Sequence, residues 1–232
     1  MTSFDDPEFG EIRIQKRKGS RAVRIRVGTD GRYIATAPTY TPLFFIKQVV
    51  NSSREELRKL ASHTSIENPY VDGQPVGRHH TLAVVPTQMV KEPATKVQCN
   101  RLLVYLPPGF ALEDTQVQQK IRNSAIAILR KEAKAYLPSR LKELATRHDF
   151  HYERVRFSHA SSRWGSCSSS GTISLNIALM KLAPELIDYV LIHELCHTRH
   201  MNHSTAFWTE VGRYDPHYRT HRQRIKRETP TV

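Results

Sequence analysis

Apolar and basic residues alternate over Ala22-Val23-Arg24-Ile25-Arg26-Val27, the period of two that marks a half-buried strand. Asp30-Gly31 is a turn signal, and Tyr33 to Ala37 predicts the returning strand of a hairpin. From Pro42 to about Ser62 the spacing becomes helical. Phe45, Val49, Leu57 and Leu60 recur on one side, with Arg54, Glu55, Glu56, Arg58 and Lys59 on the other. Thr81 to Val85 and Leu102 to Leu106 predict two further strands. Residues 1 to about 10 carry no such pattern and are expected to be loosely attached. No internal repeat is legible.

Pro107-Pro108-Gly109 is the clearest punctuation in the chain. It predicts a boundary between a β-rich N-terminal subdomain with one helix, 1–110, and a second domain, 111–232. In the second part, about Gln116 to Arg147 reads as a long helix, with Ile121, Ala125, Ile128, Leu129, Ala133 and Leu137 three and four apart. Pro138 should break or kink it. Val155 to Phe157 and Thr172 to Leu175 predict strands on either side of a small-residue loop, Ala160 to Gly171. The second of these is a candidate edge strand for an extended peptide. Pro184 at the first helical position, followed by Glu185 and Asp188, opens a helix that runs into His193. The fold class is therefore α+β.

Composition narrows the setting. The chain of 232 residues is 39% hydrophobic and 25% charged, which suits a globular protein with a substantial core. No apolar run approaches the roughly 18 residues of a membrane span. The acidic start, Met1 to Asp6, does not look like a secretory signal, and three scattered cysteines fit a reducing compartment, so a cytoplasmic protein is expected. The net charge of +13 gathers in two stretches, Arg13 to Arg26 and Arg213 to Arg227. These are either a nucleic-acid or polyanion surface or simply a solvated basic face.

The chemistry concentrates in His193-Glu194-Leu195-Cys196-His197, an H-E-x-x-H motif. Histidines four apart share a helix face, so two imidazoles can meet at one Zn²⁺. Glu194, turned by roughly 100° along the helix, borders that ion and can take a proton from water. Catalytic zinc needs a third protein ligand. His203 is the preferred candidate, with His200 and Glu210 as alternatives. If His203 binds, the chain must turn back after His197, and Asn202 in the left-handed region is one way to make that turn. Cys196 reads as packing. Arg163 is a candidate contact to a substrate carboxylate or phosphate or to an oxyanion, or else a structural ion pair.

The segments Arg163-Trp164-Gly165-Ser166-Cys167-Ser168, Ile173-Ser174-Leu175-Asn176, Leu182 to Val190, His193 to His197, Met201-Asn202-His203-Ser204 and Phe207-Trp208 closely resemble the YgjP-like (DUF45, M48-like) metal-dependent hydrolases, relatives of the SprT-like and WLM metallopeptidases. The likeness is dense from about residue 155 to 212 and looser from about residue 12. It implies a zincin-like catalytic domain behind a small β-rich part, with His193, His197 and His203 as metal ligands and Glu194 as general base. The leading expectation is thus a zinc metallopeptidase acting on a peptide. Rival readings are a metal-dependent phosphohydrolase of nucleotides, a DNA-associated protease, and a non-enzymatic zinc-stabilised module.

Overall fold

The computed structural model describes residues 2–27, 33–57 and 69–232. Helices and strands are mixed throughout, giving the α+β class. By contacts the chain groups into two compact units, 1–70 with 109–120, and 71–108 with 121–232.

The first unit holds β1 (Thr2–Asp6), β2 (Gly10–Arg17), β3 (Arg24–Val27) and β4 (Tyr33–Pro38), in the order β1-β2-β4-β3. Ile12, Ile14, Tyr33, Ala35 and Ala37 line its apolar face. That face buries Ile46 and Val50 of α1 (Leu43–Ser52), together with Leu57. The strands expected at 22–27 and 33–37 are present and pair antiparallel. The predicted turn at Asp30-Gly31 and the last residues of the predicted helix, 58–62, lie outside the described residues. The N-terminal segment is not loosely attached, as the sequence suggested, but forms β1. Asp6 holds it there. Its carboxylate accepts from the backbone N–H of Glu8 and Phe9 at 3.0 and 3.2 Å, and Arg54 pairs with it at 2.9 Å. The acidic opening is a turn cap joined to a distant guanidinium.

The second unit repeats this topology in β5 (Pro75–Val76), β6 (His80–Pro86), β7 (Ala94–Gln98) and β8 (Arg101–Leu106), ordered β5-β6-β8-β7. In each sheet the successive pairings run antiparallel, parallel, antiparallel. The likeness escaped the sequence because a sheet repeats its backbone hydrogen bonds while asking of side chains only the period of two.

Helix α2 (Thr115–Arg147) is continuous through Pro138 rather than broken. Leu137 and Leu141, both fully buried, pin the helix on either side, and the carbonyl that loses its partner belongs to exposed Lys134. The rest of this unit is β9 (Arg154–Ser158), β10 (Gly165–Cys167) and β11 (Thr172–Asn176), then α3 (Pro184–Cys196), α4 (Thr205–Tyr214) and α5 (Tyr218–Ile225). The sheet order is β10-β11-β9, so Thr172 to Leu175 is the central strand and not an edge. The free edge beside α3 belongs to β10, three residues inside the stretch read as a loop.

Helix α3 starts as expected, with Pro184 in its first turn. It is apolar nearly all round because β10, α4 and α5 all pack on it, and Leu186, Ile187, Val190, Leu191 and Leu195 enter one core with Ile173 and Leu175. Its polar side is fixed by Arg140 of α2, whose guanidinium forks onto Asp188 at 2.8 and 2.6 Å.

Candidate metal centre

His193 and His197 stand one turn apart at the end of α3, with ring centroids 4.8 Å apart. The helix then tightens and stops. Thr198 N–H bonds to Leu195 O, and Arg199 and His200 N–H both bond to Cys196 O. The return to His203 uses no left-handed residue: among the described non-glycine residues only Cys99 and Asp149 have positive φ, so Asn202 does not make the turn. Ser204 closes the return by accepting from Phe207 N–H, which starts α4 directly after His203.

This path brings three ring nitrogens together. Nε2 of His203 lies 3.1 Å from Nε2 of His193 and 3.2 Å from Nε2 of His197. Three imidazoles bound tetrahedrally at about 2.0–2.1 Å would have nitrogens about 3.3–3.4 Å apart, so the spacing suits one shared cation. The protonation states suit it too. His197 Nδ1 donates to His200 O at 2.9 Å, which leaves the lone pair on Nε2. Burial, then the neighbouring histidines, pushes His193 down to about 3, and burial lowers His197 as well. Both rings are therefore neutral near pH 7. His193 Nδ1 is buried without a hydrogen-bond partner among the described residues. Packing holds that ring instead, with Phe207 at 4.9 Å and Trp208 at 5.8 Å.

Glu194 is 4% exposed, and its Oε2 is buried without a hydrogen-bond partner among the described residues. Burial pushes its pKa up to about 8, against a smaller opposing pull from Arg163. An ionised carboxylate in such a place needs a cation nearby, and an orphaned oxygen on the residue that follows His193 fits that need. Gly165 of β10 leaves room for it: a Cβ there would meet Glu194 Oε1 at 2.6 Å.

His200 and Glu210, the alternative ligands, lie 2.7 Å from each other, and Arg199 also holds Glu210 at 2.7 Å. Both acidic and imidazole groups are thereby engaged away from the three-histidine cluster, which is the one candidate metal group among the described residues. Burial first, with Glu194 or Glu210 second, raises the thiols of Cys167 and Cys196 to about 11 and about 12, so both stay protonated. Arg163 is exposed, with its charge felt at Glu194.

Sequence reasoning missed Asn176. It is fully buried, and its amide donates to Ala160 O at 2.6 Å and Arg163 O at 2.8 Å while its oxygen accepts from Ala178 N–H at 3.0 Å. It thus ties the segment leading into β10 to the end of β11. Its place at the end of an apolar strand, within a segment already noted for its family likeness, was the signal that could have found it.

A helix carrying H-E-x-x-H and a third histidine returned by a tight turn thus form a group that could hold a metal ion. The sequence model of the YgjP-like metallopeptidase domain matches residues 21–228, and the chain belongs to that family. Comparison with curated proteins gave no match. Among solved structures, the metallopeptidase zymogen abylysin of Pyrococcus abyssi is 29% identical over 38% of this chain and 90% of its own, with a TM-score of 0.35. The metallopeptidase zymogen jannalysin of Methanocaldococcus jannaschii is 20% identical over 39% of this chain and 93% of its own, also with a TM-score of 0.35. No helix among the described residues is long and apolar enough to cross a membrane.

Proposed function

We propose that the chain is a zinc-dependent peptidase, with His193, His197 and His203 as the metal ligands and Glu194 as the general base. The observation that carries the reading is the meeting of three Nε2 atoms at 3.1 and 3.2 Å, with the orphaned Glu194 Oε2 on the adjoining helix position. Zinc held there would polarise a scissile carbonyl and acidify water. Glu194 takes the proton of the attacking water on its carboxylate and returns it to the leaving amine. Arg163, exposed and close enough to influence Glu194, is the candidate to receive a developing oxyanion.

Strand β10 offers a place for the peptide. Asn176 N–H bonds to Trp164 O, and Ser168 N–H bonds to Thr172 O. In an antiparallel pair the bonded positions alternate, so Gly165 and Cys167 turn their N–H and C=O away from β11. An extended substrate added along that edge passes beside Gly165, against which Glu194 packs.

The test joins metal analysis to turnover of an unstructured peptide. Glu194→Gln should retain stoichiometric zinc and lose roughly 10²–10⁴ in rate. Normal turnover by that variant, or a wild-type chain that takes up no metal, would end this reading.

A further inference from the structure

The basic C-terminal stretch folds into α5, and its cations have different fates. His221 sits 2.8 Å from Asp215, Arg224 pairs with Glu185 at 3.0 Å, and Arg219 donates to the Tyr218 hydroxyl at 3.3 Å. Arg222 has neither an acidic partner nor a hydrogen bond among the described residues; its guanidinium lies 4.2 Å from the centre of the Trp208 ring. Trp208 in turn stacks on His203, with centroids 5.5 Å apart and planes 23° apart, and lies 5.8 Å from His193. Arg222 is therefore held one indole away from two of the three clustered histidines. Its positive charge reaches His193 and Tyr189.

A guanidinium resting on an aromatic ring differs from one waving in solvent. The stack restrains the long side chain, while the N–H groups at its edge stay free to fork onto an anion. Trp208 is itself braced on its other contacts by Tyr218, at 5.7 Å and 17°, and by Phe207, at 5.0 Å. The result is an oriented, unpaired bidentate donor beside the metal centre, on a helix that contributes nothing to the three-histidine cluster.

We propose that Arg222 is a specificity-determining residue that binds a substrate carboxylate, either the free C-terminal carboxylate of a short peptide or an acidic side chain next to the scissile bond. This rests on the peptidase reading above. A charge-assisted fork is worth about a 10- to 100-fold preference for the anionic substrate. The preference falls in KM, because the carboxylate is already charged in the ground state.

The test uses two pairs of fluorogenic peptides, one pair differing as C-terminal acid against amide, the other as Glu against Gln beside the cleaved bond. Wild type, Arg222→Gln and Arg222→Lys are assayed on all four, with zinc content measured alongside. Wild type should prefer the carboxylate in one pair by about 10- to 100-fold. Arg222→Gln should keep its zinc and bring that ratio close to one, and Arg222→Lys should restore part of it. The pair that discriminates identifies the source of the carboxylate. Cleavage by wild type without preference in either pair, or an equal loss on both members of a pair in Arg222→Gln, would mean that Arg222 only packs on Trp208. Zinc-loaded wild type that cleaves none of the four removes the peptidase reading and this inference with it.

Discussion

Gly165→Ala places one methyl group where the structure has no room for it. The added Cβ would lie 2.6 Å from Glu194 Oε1 and 2.8 Å from both Cδ and Cγ. Comfortable contact is about 3.5 Å, so the carboxylate must retreat by roughly 0.7–0.9 Å. Glu194 is 4% exposed, and α3 beneath it is packed on several sides, so the retreat is into occupied space. Gly165 does not sit in the left-handed region, so alanine adds no backbone strain and the substitution isolates this single contact. Overpacking of this kind costs about 1–3 kcal/mol. A displacement near 1 Å at a reacting group costs up to about 10²-fold in rate. The expected outcome is a variant that takes up zinc as the wild type does, melts at lower denaturant concentration and loses about 10- to 100-fold in kcat/KM. Peptide turnover, metal analysis and urea unfolding of the same preparation provide the measurements. Turnover within about twofold of wild type would refute the view that β10 positions Glu194 for the proposed reaction.

Two further outcomes follow from the same site. In metal-free protein the folded state holds His193 near pKa 3 against an ordinary 6.5, so the unfolded chain binds the extra proton and stability falls as pH drops through that window; Glu194, raised from 4.5 to about 8, makes stability fall as pH rises through its own. A cation favours the ionised Glu194, so the gain in Tm from zinc should grow between pH 6 and pH 8; thermal melts with and without chelator check this, and an equal gain at both pH values would contradict it. Asn176→Ala strands the carbonyls of Ala160 and Arg163 and the N–H of Ala178, with an expected loss of about 2–4 kcal/mol by urea unfolding; a loss under about 1 kcal/mol would mean that water replaces the amide.

Much of the site was legible before folding because its pieces are local. Pro184 and the following acidic residues start a helix, four residues separate His193 from His197, and the 3.6-residue period alone puts their side chains on one face. The alternation at 22–27 and the apolar runs at 81–85 and 102–106 gave strands for the same reason: a period shows within a single element. Whatever joins remote parts of the chain had no such signature. The strand at Gly165–Cys167 is too short to display a period of two, and its place at the sheet edge depends on β11 lying between it and β9. Asp6 looked like part of a loosely attached acidic start until Arg54 was brought to it, and His200 stood as an alternative ligand until the fold set it 2.7 Å from Glu210. The stacking of Arg222 on Trp208, and the gap at Gly165 that Glu194 fills, exist only because α4, α5 and β10 are packed on one helix. Sequence fixes which groups are present and how they are spaced along an element. Close packing, which falls off within an ångström or so of contact, decides which of them meet.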